Sequence, residues 1–102
     1  MQSAIPALPD QSTILFPTGQ IVATPGALRL MEQYQVSPIS LLTRHSQGDW
    51  GSVGPEDAAL NNRAINQGNR ILSSYFVYED HRVWIISEWD RSITTLLLPC
   101  EY

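Results

Sequence analysis

The chain has 102 residues, enough for one modest core, with a net charge of −4 and a pI near 4.9. That acidic balance offers no overall attraction to nucleic acid or to an anionic membrane. The single cysteine, Cys100, excludes an internal disulfide and a Cys-based zinc site, and no apolar run approaches the roughly 18 residues of a membrane span. Charged residues make up only 16% against 43% apolar, which argues for a folded chain with surface that a partner covers. The first residues, Met1-Gln-Ser-Ala-Ile-Pro6, lack the basic and apolar regions of a signal peptide, so cytoplasmic residence is expected.

In chain order, residues 1–12 hold Pro6 and Pro9 among small and polar residues and read as an extended arm, with residues 13–102 as a single domain. Ile14-Leu-Phe16 and Gln20-Ile-Val-Ala23, separated by Pro17-Thr-Gly19, predict a short hairpin or an extended segment followed by a strand. Thr24-Pro25 is a helix start, with Thr24 as cap and Pro25 where its missing N–H costs nothing; the helix runs to about Gln35. Ser37-Pro38 starts a second helix to about Ser46, with Gly48 placed to end it. Gly54-Pro55-Glu56-Asp57 opens a third, polar helix that ends at Gly68. Trp50 is expected to plug the gap between the helices and the sheet.

The last third holds three runs of β-branched and aromatic residues, Arg70–Tyr78, Val83–Trp89 and Ile93–Leu98, separated by polar turns. That pattern predicts an antiparallel meander. The fold class is therefore α+β: three short helices packed on a C-terminal antiparallel meander, with an extra N-terminal strand or hairpin. With Asp80-His81 as the first hairpin loop, Tyr78/Val83 and Phe76/Ile85 share one face, and Val77/Trp84 and Tyr75/Ile86 the other. Trp84, Tyr75, Ile86 and Val77 then form an apolar face that a partner covers, as a homodimer or a hetero-complex.

The candidate chemical residues are His45, Glu88, Arg91 and Thr94. His45 sits in Arg44-His-Ser-Gln-Gly-Asp-Trp-Gly51, and its ring suits a general acid or base oriented by Asp49 or Glu88. A structural reading of the same stretch is complete in itself: Arg44 and His45 favour the negative end of a helix, and Gly48 ends it. Neither a cofactor nor a metal is expected, since His45, His81, Glu56 and Asp57 show no ligand spacing and no phosphate-binding glycine loop is present.

Gly19–Leu28, Arg44–Gly51, Arg70–Tyr75 and Trp84–Pro99 resemble a family of small uncharacterised proteins carried on plasmids and conjugative elements, the plasmid-related proteins. The resemblance covers about Gly19 to Tyr102 and implies a mobile-element context, without an activity or site residues. Some members carry a label connecting them to the modification subunit of type I restriction enzymes. This chain is too short for a methyltransferase fold and lacks an Asn/Asp-Pro-Pro-aromatic motif. Two functional expectations follow. One is an accessory protein of a mobile element that acts by binding a host or element-encoded protein, such as a restriction or other defence component. The other is a small metal-independent ribonuclease, whose order of helices and meander is similar to barnase-like and RelE-like RNases. There His45, Glu88 and Arg91 must converge on an open face, with Thr94 or Thr95 as a hydroxyl donor.

Overall fold

The structure, a computed structural model, describes residues 13–102; the expected arm over 1–12 lies outside them. Each helix opens on a proline: α1 spans Pro25–Gln33, α2 Pro38–Ser46 and α3 Pro55–Gln67. The Thr24 hydroxyl accepts from the Ala27 N–H at 3.1 Å, satisfying one of the free donors of the first turn. At the other end of α3 the Gly68 N–H donates to the Ala64 carbonyl. The buried face of α1 is Ala27 and Met31, while Leu28 points outward.

Four strands follow from the alternating runs: β1 Gln20–Ala23, β2 Ile71–Tyr78, β3 His81–Ser87 and β4 Ile93–Leu97. They form one mixed sheet in the order β1-β4-β3-β2, antiparallel except for β1, which runs parallel to β4. This is an α+β fold. The described residues before β1, 13–19, form no strand, so the N-terminal element among the described residues is a strand and not a hairpin.

The first hairpin turns at Glu79-Asp80, with Glu79 at a φ of 46°, and not at Asp80-His81. A bulge between Phe76 and Tyr78 then shifts the ladder, so Tyr75 opposes Val83 and Ser73 opposes Ile85. From Ile71 to Phe76 this differs by three residues from the register expected from the sequence, and an odd shift moves every side chain of that stretch to the other face. Ile71, Ser73, Tyr75, Val83, Ile85, Ser87, Thr94 and Leu96 thus share the face beneath the helices. Tyr75, Val83, Ile85 and Leu96 meet Ala27, Met31 and Leu41 in the main core, with Val77 packed against it. A second cluster joins Phe16, Trp50, Ala64 and Ile71. The opposite face, without α-helices, carries Leu72, Trp84, Ile86 and Leu97 by the same register.

Trp50 is the anchor of the second cluster. It is buried, stacks beside Phe16 with centroids 6.2 Å apart, and donates its Nε1–H to Asn62 Oδ1 at 3.0 Å. Just beyond it, Gly51 adopts a φ of 75° and lies so close to β2 that a Cβ would stand 2.0 Å from the Ser74 carbonyl oxygen. Only glycine fits that approach. Trp50→Ala is expected to cost about 3–5 kcal/mol through the cavity it leaves. Gly51→Ala is expected to destabilise by more than about 1 kcal/mol, through strain and displacement of β2. Urea unfolding monitored by circular dichroism measures both.

Candidate functional site

The most polar part of the interior is a chain of side-chain hydrogen bonds centred on His45, which is fully buried at 0% exposure. The helix α2 carries it over the sheet face where Ser73 of β2, Ser87 of β3 and Thr94 of β4 supply hydroxyls. The ring Nδ1 lies 2.6 Å from Ser73 Oγ, and Nε2 lies 2.9 Å from Ser87 Oγ. Ser87 Oγ is 2.6 Å from Thr94 Oγ1, which donates to the Thr18 carbonyl at 2.7 Å.

A carbonyl can only accept, and for a neutral ring that fixes the direction of every bond. Thr94 spends its one proton on Thr18, so it accepts from Ser87; Ser87, its proton spent, accepts from His45 Nε2–H. The neutral ring then receives the Ser73 proton at Nδ1. Burial, and after it the Arg91 cation, lowers the His45 pKa to about 3. The ring packs edge-on to Phe16 and Trp50, with centroids 5.2 and 6.0 Å away. This histidine is a neutral tie between α2, three strands and the Thr18 segment.

The other chemical candidates lie elsewhere. Glu88 extends from β3 on the register of the helix-free face and faces Arg70, Nε to Oε1 3.4 Å. Arg91, at a φ of 60°, donates to the carbonyls of Asn69 (2.6 Å), Glu88 (2.9 Å) and Ala64 (2.7 Å), and its guanidinium lies over the Phe16 ring. Its donors join the α3 end to the β3–β4 turn. Asp49 does not orient His45: it pairs with Arg44 at 2.6 Å, and that hydrogen bond holds its carboxyl below the usual range. His45, Glu88 and Arg91 therefore share no open face, and Thr94 is buried in the relay.

The four residues expected to form one binding face are also divided. Tyr75 and Val77 point into the helix-covered core, and Tyr75 donates its hydroxyl to the Asp49 carbonyl at 2.6 Å. Burial pushes the Tyr75 phenol up to about 12. Trp84 and Ile86 lie on the opposite face, where Ile86 is buried and Trp84 is half-buried, edge-on to Tyr102 at 5.7 Å. The Tyr102 hydroxyl accepts from Arg70 at 2.7 Å, so the chain's own C-terminal end reaches over that face. The division follows from the register of the β2–β3 hairpin.

An open apolar surface lies elsewhere, in a groove of about 570 Å³ between the segment 14–18, Ile21 of β1 and the outer side of α2. Phe16, Pro17 and Leu42 are among the residues that line it, and none of its lining residues is charged. Leu15, Ile21 and Ile39 are 48, 48 and 61% exposed there, although they are large aliphatics. The signal for this site was present in the sequence: the 18 residues from Gln11 to Leu28 contain no charge. Likewise, the polar positions Ser73, Ser87 and Thr94 inside apolar strands marked the partners of a buried polar group. Among the described residues no group of three metal-ligating side chains occurs, and no helix is long and apolar enough to cross a membrane.

The His45 tie makes stability depend on pH with a definite sign. The unfolded imidazole takes up a proton below about pH 6.5, whereas the folded one resists it down to about 3. Its contribution is therefore complete above the unfolded pKa and is lost as pH falls through that window. Between pH 7 and pH 5 the wild type is expected to lose about 2 kcal/mol of unfolding free energy from this group. His45→Gln is expected to be less stable at pH 7 and to lack that loss, measured by urea titrations at each pH.

No protein-family model, no curated protein and no solved structure matches the chain.

Proposed function

We propose that this chain is an accessory protein of a mobile element that acts by binding another protein, and that the uncharged groove beside β1 is where the partner docks. The observation that carries the reading is the groove itself: concave, mostly apolar, free of charge and carrying Leu15, Ile21 and Ile39 about half exposed. An apolar helix or extended segment is the chemistry that would fill it, releasing water from Leu15, Ile21 and Ile39. The mobile-element context rests on the resemblance of four sequence stretches to plasmid-related proteins. A host or element-encoded defence component, such as a restriction enzyme, is the class of partner that this context suggests.

The test is recovery of a partner by the tagged full chain from a plasmid-bearing host. Leu15→Asp with Ile39→Asp places carboxylates on exposed positions, where the fold tolerates them, but inside the docked groove they are desolvated without a partner. A bound protein is expected with the wild type and with Trp84→Asp on the opposite face, and at least about tenfold less with the groove pair, the equivalent of about 1.4 kcal/mol. Loss with Trp84→Asp and retention with the groove pair would place the binding surface on the helix-free face instead.

A further inference from the structure

The chain enters the described fold at one end of the groove. Gln47, which ends α2, donates its Nε2–H to Thr13 Oγ1 at 2.7 Å, and the Leu15 N–H donates to the Ser46 carbonyl at 2.8 Å. Leu15 and Ser46 both line the groove. The twelve residues that precede Thr13 are therefore tethered there, beside the last turn of α2. From that end α2 presents Ser46, Thr43, Leu42 and Ile39 in turn along the groove, a run of about 10 Å at ~1.5 Å per residue.

The sequence of the tether suits that wall. Met1-Gln-Ser-Ala-Ile-Pro-Ala-Leu-Pro-Asp-Gln-Ser12 carries one charged side chain, Asp10, and two branched aliphatics, Ile5 and Leu8. Pro6 and Pro9 favour the polyproline II conformation, in which residues three apart share an edge and stand about 9 Å from one another. Ile5 and Leu8 are three apart, so their spacing matches the length of the α2 wall. Pro9-Asp10-Gln11-Ser12 consists of turn-formers, suited to reversing the chain between Leu8 and Thr13. Fully extended, the five steps from Thr13 to Leu8 reach about 17 Å and the eight to Ile5 about 27 Å, more than the groove demands.

We infer that Ile5-Pro-Ala-Leu8 docks in the groove of its own chain, Leu8 beside Thr43 and Ser46 and Ile5 beside Ile39, and closes it until a partner displaces the segment. The inference rests on the reading of the groove as a docking site and adds how that site is regulated. Three features select this occupant. Attachment at the rim gives it a local concentration on the order of millimolar before any contact forms. Its apolar stretch is as free of charge as the groove, and Asp10 falls in the turn outside. Its prolines restrict the free segment, so docking sacrifices less conformational freedom. A partner then competes with the segment, and its apparent affinity scales with the fraction of chains that are open.

Disulfide trapping in the full chain tests the docking, in a Cys100→Ser background that removes the exposed native thiol. Ile5→Cys with Ile39→Cys brings two thiols together when the segment is docked. Ile5→Cys with Phe76→Cys is the control: Phe76 is as exposed, 56% against 61%, but lies on β2, at the far side of the sheet. Under mild oxidation of dilute protein the first pair is expected to close within one chain at least about tenfold faster than the second. A tether alone would bring residue 5 near α2 without holding it there. Adding Leu8→Asp, which desolvates a carboxylate in the groove, is therefore expected to slow the first pair at least about fivefold. Equal rates for the two pairs, a rate indifferent to Leu8→Asp, or a disulfide that joins two chains overturns the docking. Ile5→Asp with Leu8→Asp opens the groove and is expected to raise partner capture at least about threefold. Disulfide rates as expected, with no groove-dependent partner, overturn the binding reading alone. Groove-dependent capture with equal disulfide rates overturns the docking alone.

Discussion

The rest of the structure depends on one hydrogen-bonded relay, running from Ser73 through His45, Ser87 and Thr94 to the carbonyl of Thr18. It crosses β2, β3 and β4, carries α2 at its centre, and ends on the segment that leads into β1. Buried polar groups are costly unless every donor and acceptor is used. Here burial keeps the histidine neutral, the side-chain bonds then have one consistent direction, and the relay holds the segment that carries Thr18. The groove is a consequence: residues 14–18 form one wall because the relay and Phe16 hold them against the sheet, and α2 forms the other.

The relay also decides what the molecule does not do with its most reactive side chain. A general base needs access to a substrate and a pKa near the working pH. His45 has no exposed surface and a pKa lowered to about 3. Arg91 is occupied by backbone carbonyls, and Glu88 lies on the other face of the sheet opposite Arg70. His45, Thr94 and Arg91 are thus occupied in holding the fold, and what the groove offers is apolar area. That area is placed asymmetrically: Asn61 and Ser52 cover the β2 edge at Leu72 and Ser74, while the groove beside β1 is uncharged.

The helix starts were legible because they rest on local chemistry. Thr24-Pro25, Ser37-Pro38 and Gly54-Pro55 each set the backbone before any tertiary contact forms. The three C-terminal strands were legible from composition in the same way. The face of each strand residue was not, because it depends on where the hairpin turns. Glu79, a residue with no strong preference for a positive φ, takes the first loop position, and Val77 bulges inward to reach the core. That one choice separated Tyr75 and Val77 from Trp84 and Ile86. The environment of His45 was equally hidden, since its partners lie 28 and 42 residues away. By contrast, the charge-free stretch that lines the groove was plain in the sequence, but its meaning required knowing that α2 lies beside it.

The imidazole nitrogen chemical shifts of His45, followed by NMR as pH is lowered from 8 towards 5, test the relay most directly. A neutral ring protonated at Nε2, with Nδ1 accepting and with shifts constant across that range, is the expected result. A ring protonated at Nδ1, or one that titrates near pH 6.5, would contradict the relay and reopen the interior as a site of chemistry.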